Sequence, residues 1–202
     1  MERFPGAFNN LIRSAKPGLR VAKVIRTLVL LACLLSACPG RAAETSLTEH
    51  QVKALFLFNF TKYVDWPAGT FLTASNPITI GVLGQDDIKS ELTRAVAGKN
   101  VNGRAIVIRP ITKESEIAGC QILFIAKSEN SRLAEILRKI ADQPILTVGE
   151  DDTFLPQGGI INLALKAGKV RPEINLQSAQ TAKVQISSKL LSVADVVKVK
   201  SN

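Results

Sequence analysis

The sequence predicts an α/β domain in three layers: a mostly parallel central sheet, helices on both of its faces and a C-terminal β-hairpin. Three observations predict it. Short apolar runs at Ile78–Leu83, Ala105–Ile108, Ile122–Ala126 and Pro144–Val148 alternate with stretches of helical periodicity. Helices set between strands in this way imply crossover connections, which join parallel strands. Further on, Ile160–Leu165 and Val170–Leu176 are separated only by Lys166-Ala167-Gly168-Lys169, the mark of a hairpin.

The chain opens on a segment of another kind. Arg13, Lys16, Arg20, Lys23 and Arg26 precede an apolar run from Thr27 to Ala37. That run is too short to span a bilayer and suits the core of a secretion signal. Residues 1–43 therefore read as a secretion segment and residues 44–202 as a single domain without repeats or linkers. Two processing outcomes stay open. Gly40-Arg41-Ala42 sets small residues where a signal peptidase reads them, so cleavage after Ala42 or Ala43 would release a soluble periplasmic protein. Leu35-Ser36-Ala37-Cys38 also has the form of a lipobox, in which Cys38 would be acylated and anchor the chain. No later segment is apolar for long enough to cross a membrane.

Charge follows the same division. The whole chain carries a net +9, but the first 43 residues hold seven Lys/Arg and one acid, leaving 19 − 16 = +3 for the rest. A domain at +3 with mixed signs and no basic stripe interleaved with aromatics argues against nucleic acid as a partner.

Within the domain, Ser46-Leu47-Thr48-Glu49 reads as a capping box. It opens a helix whose apolar stripe is Val52, Leu55, Phe56, Asn59, Phe60, Tyr63 and Val64, ended by Trp66-Pro67. Phe58 lies off that stripe. The helix thus offers a second apolar face, and Phe58, Tyr63 and Trp66 are the candidates for contact with a partner protein. Asp86 is placed to cap a helix that Gly98 stops. A short helical turn is expected at Thr112–Ala118. Ser128 is placed to cap a helix carrying Leu133, Ile136, Leu137 and Ile140. A final helix is expected from Ser187 to Val197.

Several ordered pieces of this chain resemble the YfiR-like periplasmic proteins: VKALFLFNFTKYVDWP (Val52–Pro67), ITIGVLGQDD (Ile78–Asp87), GCQILFIAKSE (Gly119–Glu129), PILTVGE (Pro144–Glu150), GGIINL (Gly158–Leu163), VRPEINLQSA (Val170–Ala179) and ISSKLLSVADVV (Ile186–Val197). The resemblance spans about Leu47 to Val199. It implies a periplasmic α/β protein, often a homodimer; no cofactor is expected from the residues. It further implies binding to the periplasmic part of a membrane diguanylate cyclase or sensor kinase, with an outer-membrane lipoprotein as a further partner. Relatives often carry a cysteine where Gly81 stands, paired with the one that matches Cys120. A second family disulfide has no counterpart here, and Pro172 replaces an aromatic of the family.

Little in the residues suggests catalysis. His50 is the only histidine and Cys120 the only cysteine of the domain, too few for a zinc site. Cys120 reads as a buried small hydrophobe beside an apolar strand. Gly81-Val82-Leu83-Gly84 lacks the glycine fingerprint of a phosphate loop, Asp151-Asp152 reads as a solvated turn, and Ser187-Ser188-Lys189 does not match a Ser-x-x-Lys nucleophile. The best polar group is Asn162, Arg171, Glu173 and Asn175. The last three alternate along one predicted strand, and Asn162 lies on its hairpin partner. They form either a binding site for a small ligand or a partner, or a solvated face with an internal Arg171–Glu173 ion pair. The sequence therefore predicts an exported, non-enzymatic regulator that binds a membrane signalling protein. The alternative is a periplasmic small-molecule-binding protein reporting to a sensor kinase or outer-membrane receptor.

Overall fold

The computed structural model describes residues 47–199. The secretion segment, its cleavage positions, Cys33 and Cys38 lie outside the described residues.

Helix α1 runs from Glu49 to Tyr63. Its cap lies two residues later than the sequence suggests. Thr48 accepts from the Gln51 amide, and the Gln51 side chain accepts from the Thr48 amide, so Gln51 completes the box. The helix also ends before Trp66. Val64–Asp65 forms a short strand β1 that pairs antiparallel with β9 (Gln185–Ile186).

Strand β2 (Ile78–Leu83) is buried throughout and leads to helix α2 (Ile88–Val96). Asp86 accepts from the Ile88 amide at 2.7 Å, and Gly98 closes the helix with φ +68°. Strands β3 (Asn100–Val101) and β4 (Arg104–Ile111) follow as a tight hairpin. Asn102 and Gly103 both take positive φ there, the geometry that Asn-Gly favours between paired strands. A 3₁₀ turn (Glu114–Glu116) precedes β5 (Ile122–Ile125). Lys127–Arg132 is a second 3₁₀ segment, so Ser128 caps nothing; helix α3 begins at Leu133 and ends at Ile140. Then come β6 (Leu146–Gly149), β7 (Ile161–Lys166) and β8 (Lys169–Ile174).

The expected final helix is only Ser188–Leu191 (α5), capped by Ser187, and the chain then adds strand β10 (Asp195–Val196). Leu176–Thr181 is a helix (α4) rather than the end of a strand, because the Asn175 side chain accepts from the Gln177 and Ser178 amides and starts it.

The main sheet has the order β10-β8-β7-β6-β5-β2-β4-β3. Strands β4, β2, β5, β6 and β7 are parallel, β7 and β8 form the expected hairpin, and β10 lies parallel to β8. Alternate residues face opposite layers. Ile122 and Phe124 join one hydrophobic cluster with α1, α2, α4 and α5, whereas Leu123 and Ile125 join another with α3. The three-layer α/β architecture is thus present.

The phase of α1 differs from the expected stripe. Its buried face is Lys53, Ala54, Leu57, Phe58, Phe60 and Thr61, while Leu55 is exposed and Val52, Phe56 and Asn59 are half-buried. A lysine and a threonine on the inner face hid the true stripe. Close approach also shapes the loop after β6. A Cβ on Gly149 or Gly159 would lie 2.2 Å from the Phe154 ring, so the ring sits between two backbones that have no side chain to offer.

Candidate recognition site

The strand order changes direction between β2 and β5, and open α/β sheets usually bind ligands just beyond the carboxyl ends of their strands at such a point. Here that end is filled. Gly84, with φ +95°, leaves room for Ser128, whose Oγ would meet a Cβ at 2.5 Å and accepts from the Gln85 amide at 2.9 Å. The first turns of α1 bridge the strand ends. His50 lies 3.6 Å from Asp86 after β2, and Lys53 pairs with Glu150 after β6. The Lys53 and Glu150 side chains are 4% and 7% exposed, and Lys53 also pairs with Glu49. Burial pulls the Lys53 pKa down, but the bonds to Glu150 and Glu49 outweigh it and hold the ammonium above its ordinary value. The bond to Lys53 likewise holds Glu49 below the usual carboxylate range. Sequence reasoning missed this pair. The only signal was a lysine beside Ala54 and Leu57.

The opposite end of the sheet is open. Trp66 stands there, half-buried, donating from Nε1 to the Gln121 carbonyl at 3.1 Å. Its ring meets Phe71 edge-on at 6.2 Å, and the Arg104 guanidinium lies 4.0 Å over Phe71 while donating to the Thr73 and Asn76 carbonyls. One cleft beside Trp66, about 520 Å³, is lined by Asp65, Gln180, Lys183 and Gln185 among others. A second, about 310 Å³, is lined by Thr61, Phe71, Ile78, Asn102 and Arg104. Trp66 therefore separates two recesses with an apolar wall and charged or amide rims, an arrangement suited to gripping an amphipathic surface.

The other two aromatic candidates are placed differently. Phe58 points inward at 7% exposure, with the Lys62 and Lys99 ammonium groups 4.1 and 4.6 Å from its ring centre. Tyr63 is half-buried against the core.

The hairpin group is brought together only in part. Asn162 and Glu173 are paired in register, and Asn162 Nδ2 donates to Glu173 at 3.1 Å. Glu173 pairs with Lys166 at 2.6 Å, and Lys166 also reaches Asp195. Arg171 is exposed and makes no ion pair with Glu173, and Asn175 is turned away as the cap of α4. Lys166 and Asp195 thus belong to this network although the alternation rule did not mark them. Among the described residues no group of histidine, cysteine and acids is arranged to hold a metal ion, and no helix is long and apolar enough to cross a membrane.

The model of the family DUF4154, described as YfiR/HmsC-like, matches residues 50–195. The chain belongs to the YfiR/HmsC-like family. This is a family of periplasmic regulators rather than enzymes, tied to cyclic di-GMP signalling through a membrane protein. No curated protein matches the sequence. Among solved structures, a conserved domain protein from Vibrio cholerae has 14% identity and a TM-score of 0.48. An ABC domain from Streptococcus pneumonia, in complex with L-Trp, has 13% identity and a TM-score of 0.43. Each match covers 59% of this chain, which spans 54% and 55% of those two proteins.

For a YfiR-like protein the Gly81 position has a direct meaning. A Cβ on Gly81 would lie 2.9 Å from Cys120 Sγ, so the two positions are neighbours, yet glycine leaves Cys120 a free, buried thiol. Burial pushes that thiol up, against the pull of Arg109, and keeps it protonated.

Proposed function

We propose that this protein is an exported, non-enzymatic regulator that binds the periplasmic part of a membrane diguanylate cyclase and holds it inactive. Family membership supports the class of function. The observation that carries the proposal beyond it is Trp66, anchored by its own hydrogen bond between two recesses on the open end of the sheet. An anchored aromatic at the rim of a recess is the usual core of a protein interface. Regulation then works by differential affinity: the protein binds the inactive receptor state more tightly and shifts the population toward it.

Intracellular cyclic di-GMP, measured in the native host with and without the gene, tests this. Deletion raises the level, an exported wild-type copy lowers it again, and a Trp66→Ala copy does not. An unchanged level on deletion would break the link to this messenger.

The cleft of about 520 Å³ favours a second reading, a small periplasmic solute bound beside Trp66 and reported to a sensor kinase or outer-membrane receptor. A solute that raises the melting temperature of the wild type but not of Trp66→Ala would support it. Release in soluble form fits either reading, and a diacylglyceryl mass on Cys38 in the mature protein would replace it with a lipid anchor.

A further inference from the structure

The sheet ends on one side at the β3–β4 hairpin. Strand β3 covers only Arg104 and Ala105, and among the described residues nothing pairs with β4 on that side from Ile106 onward. Across the two-residue turn Arg104 pairs with Val101, so its amide and carbonyl face β3. Alternation then turns the amides and carbonyls of Ile106 and Ile108, and the carbonyl of Pro110, to the same open side. Val107 on this stretch is 42% exposed. An unpaired row of this kind is a template for an added strand.

Charge identifies what kind of strand. Lys99, Arg104, Arg109 and Lys113 flank the open stretch. Among the described residues none of the four forms an ion pair. Arg104 donates to the neutral carbonyls of Thr73 and Asn76, and Arg109 to those of Glu116 and Ala118. A second copy laid antiparallel would bring together two edges that both carry cations without ion-pair partners, which disfavours self-association. Pro110 further weakens such pairing by removing one donor. The edge also begins beside the Trp66 recess, because Arg104 lines that recess and covers Phe71.

We propose that the open edge of β4 takes up an extended, acidic segment of the partner protein as an additional strand. The proposal rests on the regulator reading only for the origin of that segment. It adds a backbone-recognition surface to the aromatic one.

Two blocked peptides alternating valine and threonine, one ended by glutamates and one by lysines, are titrated into the isotope-labelled protein, and amide exchange is read by NMR. The glutamate-ended peptide slows exchange at Ile106 and Ile108, and the lysine-ended peptide does not. Lys113→Glu, an exposed change, weakens capture about tenfold or more, and Arg109→Glu, checked for an unchanged melting temperature, captures the lysine-ended peptide instead. Protection by neither peptide, or equally by both, would overturn the proposal. So would slow exchange at both amides in the protein alone that quickens on dilution, because a second copy would then occupy the edge. Failure here with an intact effect of the gene on cyclic di-GMP would leave the regulator reading standing; capture with an unchanged messenger would do the reverse.

Discussion

The two ends of the parallel sheet are built from opposite materials. At the carboxyl ends, Ser128 fills the space that Gly84 leaves, and α1 bridges β2 and β6 through His50 and Lys53. At the amino ends, Trp66 stands between two recesses. In open α/β sheets the first of these ends is the usual ligand site. Here charge and packing close it, and the recesses that flank Trp66, where we propose recognition, lie at the other. A fold alone therefore does not locate a site.

The largest expected effect tests whether the closed end is structural. Lys53→Met leaves Glu150 buried without its partner, and loss of one member of a buried pair costs about 3–5 kcal/mol. Urea unfolding reads this directly. The double variant Lys53→Met, Glu150→Leu recovers most of the loss, since a well-packed apolar replacement is often neutral. A loss below about 1 kcal/mol in the single variant would mean that water reaches and solvates Glu150, so that this end of the sheet is open to solvent.

Gly84→Ala comes next. Its φ of +95° strains any side chain, and the new Cβ would drive Ser128 away from the Gln85 amide. The expected cost is about 1–3 kcal/mol, visible as a lowered urea midpoint with an unchanged slope.

At the open end the expectation reverses. Trp66→Phe removes one hydrogen bond to Gln121 and costs about 1 kcal/mol, yet under the proposed function it lowers affinity for the receptor's periplasmic domain more than it lowers stability. Equal losses in both would make Trp66 a core residue like Phe60 and erase the contrast between the ends.

The smallest effect is a pH dependence. Glu49 is held below its unfolded value, so its contribution is present above the unfolded pKa and fades as pH falls through the folded one. Lys53 is held above its unfolded value, so its contribution is present below the unfolded pKa and fades as pH rises through the folded one. Stability therefore declines on both the acid and the alkaline side, and Glu49→Gln flattens the acid limb. An acid limb unchanged in that variant would assign it to other carboxylates.

Much of the scaffold was legible because its signals are local. The unbroken apolar run Ile78–Leu83 is a buried strand, and a two-residue turn at Ala167 and Gly168 joins β7 to β8. Asn102-Gly103 carried an equally local signal for the β3–β4 hairpin, which the periodicity reading passed over. What remained hidden depends on partners distant in the chain. Lys53 looks like a surface residue until Glu150, 97 positions away, meets it and lets it lie on the buried face of α1. Asn175 fits a strand by alternation until the amides of Gln177 and Ser178 claim its side chain. Trp66 reads as a contact residue from its position after the helix, but its two recesses are made by residues as far off as Gln185.

The Phe154 ring held between Gly149 and Gly159 constrains how this sequence can drift. Alanine at either glycine would overlap the ring, and a smaller residue at 154 would leave a void against two bare backbones. Each single step is thus unfavourable while a concerted change is not. The three positions form an epistatic unit, and descendants of this chain are expected to keep all three or exchange them together.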